Sequence, residues 1–108
     1  MTDEMILADI KKAIADNTIV LFAKGTKEAP RCGFSARTIQ LFQEIGRPFV
    51  VVDILADPAI RQVLSAHSNW PTVPQVFIKG QFVGGCDIVV EMHQEGELQK
   101  VVEAAFSA

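Results

Sequence analysis

Two cysteines, two histidines and a scatter of carboxylates are the side chains of this 108-residue sequence best suited to bond chemistry or metal binding. Cys32 has the most suggestive setting. It follows the polar loop Lys24 to Arg31 and opens a stretch, Cys32 to Ile45, with Thr38, Leu41, Phe42 and Ile45 at helical spacing. A thiol at a helix start faces unpaired backbone N–H groups and the positive end of the helix dipole, and both favour the thiolate. Lys24 and Arg31 can add positive charge nearby. A free thiol titrates near about 8.5, whereas helix-terminal cysteines reach roughly 3.5 to 7.5. The thiolate is the form that attacks disulfides and binds metal. A structural cysteine packs as a small apolar residue inside an apolar period, but Cys32 sits among Pro30, Arg31, Gly33 and Ser35, so its neighbours favour reactivity.

The positions of a C-x-x-C pair hold Cys32 and Ser35, which removes the intramolecular dithiol cycle. The second sulfur must come from a small thiol cofactor, or from Cys86 if the fold brings it near. Iron–sulfur clusters are usually held by four thiolates. One cysteine per chain therefore suggests a dimer with two protein thiolates and two from a bound thiol, a count that permits a cluster without requiring one. His67 and His93 lack ligand-like spacing, so a zinc site is not expected.

The elements that must position Cys32 alternate. A first helix is expected from Asp3 to Asp16, capped by Thr2, with Ile6, Ile10, Ala13 and Ile14 on one face. Thr18 to Ala23 is an unbroken apolar run, the pattern of a central strand buried on both faces. Gly46 stops the Cys32 helix. Phe49 to Asp53 reads as a second buried strand, joined to the first by a right-handed parallel crossover. Asp57-Pro58 opens a third helix that ends near Ser68-Asn69, with Ile60, Val63 and Leu64 inward. Gln75 to Lys79 and Gln81 to Gly84 flank Gly80 as an antiparallel hairpin. Helical stretches from Asp87 to His93 and Glu95 to Phe106 complete the chain. This order describes an α/β, thioredoxin-like fold with a mixed four-stranded sheet flanked by about five helices, the first of them an N-terminal helix.

Composition agrees with one domain over residues 1–108. Hydrophobic residues make up 49% of the chain, enough for a core without disulfides. A net charge of -3 with 10 Lys and Arg argues against a nucleic-acid partner. No apolar run approaches the roughly 20 residues of a membrane span. Two cysteines and an acidic start, without signal-peptide features, make a reducing cytoplasmic setting the expectation.

Four blocks carry a family resemblance: Lys24-Gly25-Thr26, Pro30-Arg31-Cys32-Gly33-Phe34-Ser35, Trp70-Pro71-Thr72-Val73-Pro74-Gln75 and Gly84-Gly85-Cys86-Asp87. In order and spacing they resemble the monothiol glutaredoxins of the CGFS class in their single-domain form. The resemblance implies a [2Fe-2S] cluster bridging a homodimer, ligated by Cys32 of each protomer and by one glutathione on each. It also implies transfer to iron–sulfur acceptor proteins, pairing with BolA-like proteins and weak reductase activity. Lys24 would lie near the thiolate and glutathione, Arg61 would meet the glycine carboxylate, and Thr72 and Val73 would pair with the tripeptide like an added strand. Gly85, Cys86 and Asp87 would hold its γ-glutamyl end. Lys27 stands where many members have proline, which should loosen the loop, and His67 where an aromatic is common.

Physical arguments beside the resemblance agree in part. Val73-Pro74 is a candidate cis peptide that would free the Val73 backbone for a peptide ligand. Gly84-Gly85 lets backbone N–H groups approach a carboxylate. Without the resemblance, Arg61 would be a solvated charge and Asp87 a helix cap. Trp70 reads as packing under the Pro74 turn. Phe34 is open between helix packing and a surface contact. Cys86 is a spare thiol at the glutathione turn, a partner for Cys32 under oxidation, or buried filler. Three functions follow: a glutathione-dependent [2Fe-2S] carrier, a monothiol deglutathionylase with Cys32 as nucleophile, or a redox-inactive interaction domain with Cys32 buried.

Overall fold

The computed structural model describes residues 1–107. Helix α1 spans Asp3–Asp16, and the Thr2 hydroxyl caps it by accepting from the Met5 N–H at 3.2 Å. Strand β1 is Ile19–Ala23, helix α2 Gly33–Ile45, strand β2 Val50–Asp53 and helix α3 Pro58–Ser68. Strands β3, Gln75–Ile78, and β4, Gln81–Gly84, precede helices α4, Cys86–Gln94, and α5, Glu97–Phe106. A 3-10 turn at Ile54–Ala56, which the sequence did not announce, joins β2 to α3. Asp57 caps α3 through its carboxylate on the Ala59 N–H, and left-handed Gly46 ends α2.

The sheet runs β2-β1-β3-β4. Strands β1 and β2 are parallel, in register from Val20 opposite Val50 to Ala23 opposite Asp53, while β1–β3 and β3–β4 are antiparallel. Lys79 and Gly80, both at positive φ, make the tight β3–β4 turn. Side chains alternate between two cores. Ile19, Leu21 and Ala23 meet Ile39, Phe42, Val89, Leu98 and Val102, so α2, α4 and α5 cover one face. Val20, Phe22 and Phe77 meet Ile6, Ile10, Ile14 and Leu64, so α1 and α3 cover the other. This is the expected thioredoxin-like architecture, with a mixed sheet of four strands and five helices.

One expectation is corrected. Strand β2 is not fully buried: it lies at the sheet edge and its residues are half-buried. A run of valines reads as two-sided burial, but the crossover places β2 outside β1, where one side lacks a neighbouring strand. This strand matters for the site, because the loop that precedes Cys32 bonds to Asp53 at its end and to Phe49 just before its start.

Candidate thiol site and groove

Cys32 occupies the N-cap of α2 in extended conformation, one residue before the helix begins. Its thiol is half-buried and makes no full capping hydrogen bond, which leaves the first N–H groups of α2 open to a negative charge. The Ser35 backbone N–H does most to hold the Cys32 thiol below its ordinary pKa. Partial burial opposes this, and the Phe34 N–H, the Lys24 ammonium and the Ser35 hydroxyl reinforce it. The charge contribution thus comes from Lys24, whereas Arg31 points into solvent.

Ser35 does more than replace a second thiol. It is 0% exposed, and its Oγ accepts the Lys24 backbone N–H at 3.0 Å, fastening the end of β1 to the first turn of α2. Lys24 is therefore held beside Cys32 through its main chain. The Lys24 carbonyl accepts from Arg31 N–H at 2.9 Å, and the Thr26 N–H donates to Ala29 at 3.2 Å, closing a narrow loop bridged at Gly25 and Pro30. Gly25 has φ +95°, and a Cβ there would lie 2.4 Å from the Ala29 carbonyl oxygen and 2.7 Å from the Arg31 nitrogen. Only glycine fits. Its N–H donates to Asp53 Oδ1 at 2.9 Å, and the same oxygen accepts from Leu55 N–H at 2.9 Å.

Lys27 overturns a second expectation. Instead of loosening this loop, it ties it down: Nζ donates to the Phe49 carbonyl at 2.8 Å and sits 4.1 Å from the centroid of the Phe49 ring. Phe49 in turn packs against Phe42 of α2, with ring centroids 6.0 Å apart. The loop is anchored to both ends of β2, by Asp53 at one and Phe49 at the other.

Beyond Cys32 lies a groove of about 270 Å³, walled by Phe34, Thr72, Val73, Pro74, Gly85, Cys86, Asp87 and Ile88, with Trp70 also lining it. The Val73–Pro74 peptide is cis, and no backbone partner within the described residues takes the Val73 N–H or carbonyl. A peptide ligand would find both free. Opposite them, α4 starts at Cys86 with Gly85 as an N-cap that offers no side-chain hydrogen bond, so its first N–H groups are open to an anion. A Cβ on Gly85 would stand 3.3 Å from the Pro74 carbonyl oxygen and so narrow the groove.

The structure brings Thr72, Val73, Gly85, Cys86 and Asp87 onto this one groove; Cys32 is not among its lining residues, although Phe34, two residues on, is, and Lys24 is close enough to act on the thiol. Arg61 is not among the lining residues: it is exposed on α3 and its guanidinium donates to the Pro71 carbonyl at 3.2 Å. Asp87 is not the helix cap, since α4 begins one residue earlier, and its carboxylate is exposed. Cys86 is 6% exposed and unpaired. Phe34 is 60% exposed, which assigns it to the surface rather than to helix packing. Trp70 is a packing residue, but its ring partner is Phe82 of β4, with centroids 5.5 Å apart, and its indole nitrogen is buried without a partner. His67 lies exposed in the last turn of α3, and His93 Nδ1 pairs with Gln99 Nε2 at 2.7 Å. Ser35, Asp53 and Gln75 were not singled out from sequence as positioning groups; their partners lie 11, 28 and three to five residues away.

A partly exposed thiol at a helix N-terminus and a cis-proline turn, both on a mixed four-stranded sheet with helices on both faces, define a thioredoxin-like thiol protein with room for a short peptide. Residues 19–83 match the family model described as Glutaredoxin. A Synechocystis sp. protein named uncharacterized monothiol glutaredoxin ycf64-like is 46% identical over 101 residues, 94% of each chain. Glutaredoxin 4 of Escherichia coli is 49% identical over 94 residues, covering 87% of this chain and 82% of the relative. The structure of a buckwheat glutaredoxin–glutathione complex superposes with a TM-score of 0.85 at 29% identity, covering 95% of this chain and 92% of that one. The chain belongs to the glutaredoxin family. Among the described residues, no helix is long and apolar enough to cross a membrane.

Proposed function

We propose that the chain is a single-domain monothiol glutaredoxin of the CGFS class that binds a [2Fe-2S] cluster between two protomers with glutathione and passes it to acceptor proteins. The observation that carries this reading is Cys32 itself: a partly exposed thiol, its pKa held down by α2, with buried Ser35 where a resolving cysteine would stand. A thiolate of that kind ligates iron, and one per protomer leaves half of a four-sulfur set to a second thiol. Glutathione suits the groove. Its cysteine backbone matches the free Val73 N–H and carbonyl, and its γ-glutamyl carboxylate matches the uncapped start of α4. Asp87 would face the adjoining ammonium, Cys86 and Gly85 would contribute N–H groups and space, and Thr72 would continue the wall. Lys24 would lie near the glutathione sulfur, and Arg61 has guanidinium N–H groups beyond its Pro71 contact for the glycine carboxylate.

The cluster is cargo. In this reading the protein supplies an ionised sulfur, a seat for the second thiol, and the exposed Phe34 and Ile88 side chains beside them as an apolar rim for another protein. BolA-like proteins and iron–sulfur acceptors are the proposed partners, in a cytoplasmic setting. Anaerobic reconstitution with iron, sulfide and glutathione tests the reading. It expects a coloured dimer that requires glutathione, is lost on Cys32→Ser and survives Cys86→Ser. A colourless monomer with brisk glutathione-dependent disulfide reduction would instead establish the catalytic thiol-transfer function.

A further inference from the structure

The groove wall from Trp70 to Thr72 is an irregular loop, yet each of its carbonyl groups is held by a side chain. Arg61 donates to Pro71 O at 3.2 Å, while the single amide of Gln75 donates from Nε2 to both Trp70 O, at 3.2 Å, and Thr72 O, at 3.1 Å. Gln75 is 0% exposed at the start of β3, directly after the cis-proline, opposite Phe22 of β1. Its Oε1 is buried with no partner. An unmatched polar oxygen inside a sheet is unfavourable, and an apolar side chain of the same length would avoid it. A glutamine here therefore has a use that core packing alone does not explain: its two N–H bonds set the path of the loop that carries Thr72 and Val73.

We infer that Gln75 is a positioning residue for the peptide-binding wall, fixing Thr72 and Val73 for a ligand that Gln75 never touches. The inference rests on the groove being the glutathione site. Gln75 acts on the groove and not on the thiol, because the groups that lower the Cys32 pKa belong to α2 and to Lys24, and its hydrogen bonds go to neither. A loop freed of both bonds samples several paths, and a ligand must then select one, which weakens affinity without altering the nucleophile.

The chain carries its own reporter. Trp70 is the single tryptophan and there is no tyrosine, so intrinsic fluorescence reads this loop directly. The test compares wild type with Gln75→Met, which keeps the side-chain length and removes both donors, and with Gln75→Glu, which aims carboxylate oxygens at the two carbonyls. The probe is S-methylglutathione, which fills the site without thiol exchange. Gln75→Met should bind it about tenfold more weakly, as expected for two lost hydrogen bonds, and Gln75→Glu more weakly still. Both should show red-shifted, more readily quenched Trp70 emission while the pH profile of Cys32 alkylation is unchanged. Equal probe affinity in wild type and Gln75→Met would overturn the inference. So would a Cys32 alkylation profile that moves with the affinity, or global unfolding of both variants, either of which assigns Gln75 to the fold at large. Failure of wild type to bind the probe would count against the glutathione reading itself.

Discussion

Gly25→Ala is the substitution whose consequence the structure specifies most sharply. A Cβ at this residue meets backbone on every side: 2.4 Å from Ala29 O, 2.7 Å from Arg31 N and 2.9 Å from Pro30 Cα, at φ +95°. None of these is a flexible side-chain end, so the loop must open. Opening gives up the Arg31–Lys24 and Thr26–Ala29 backbone bonds and the Gly25 bond to Asp53. At about 1 kcal/mol for each of three hydrogen bonds, plus a comparable penalty for alanine at positive φ partly relieved as the loop relaxes, the loss is about 3 to 4 kcal/mol. For a chain of this size that lowers Tm by roughly 12 to 20 °C. Thermal unfolding followed by circular dichroism gives the first number, and the pH dependence of Cys32 alkylation gives the second. The alkylation midpoint should stay below that of a free thiol, because the Ser35 and Phe34 N–H groups lie in α2 and not in the loop. A variant melting within about 2 °C of wild type would refute the reasoning, since no arrangement of the loop accommodates that methyl group without losing bonds.

Three other outcomes follow from the same geometry. Lys27→Met removes the bond to Phe49 and the cation over its ring; amide exchange in the 26–29 segment should accelerate by about tenfold with little change in Tm, as for a local opening. Ser35→Ala leaves the Lys24 N–H without its partner. It should lower stability by about 1 to 2 kcal/mol in urea titration, and it should raise the Cys32 pKa only slightly, because the Ser35 backbone N–H remains. The third concerns pH. The folded thiol titrates below the unfolded one, so between those two pKa values the unfolded state binds more protons. The stability of wild type relative to Cys32→Ser should therefore increase with pH across that window, and fall again as pH drops through the folded value; paired urea titrations measure it.

Much of the scaffold is written locally. Thr2 with the Ile6, Ile10 and Ile14 period marks α1 to its last residue, Asp57-Pro58 marks the start of α3, and Gly80 marks the hairpin turn. These signals depend on neighbours a few residues apart, which is why pattern reading reaches them. The edge position of β2 is different in kind, because VVVD carries the same pattern in the middle of a sheet and at its margin. In the site, Cys32, Val73 and the Gly85 turn follow from helix-start, cis-proline and glycine logic, while Thr72 comes only from the family resemblance. The supports were not. Lys27 meets Phe49 from 22 residues away, and Asp53 reaches Gly25 across 28. Gln75 is closer to its partners in sequence, but a polar residue heading a strand looks like surface until the cis turn brings two carbonyls over it.

The claim beneath the whole account is that the α2 N-terminus and Lys24 hold the Cys32 thiol below its ordinary pKa while leaving it reachable. The ultraviolet absorbance of the thiolate, titrated in the Cys86→Ser variant so that one sulfur reports, measures this directly. The account predicts a single transition whose midpoint lies below that of the same chain unfolded in urea. A midpoint equal to or above the unfolded value, or a sulfur that fails to titrate until the protein unfolds, would contradict it.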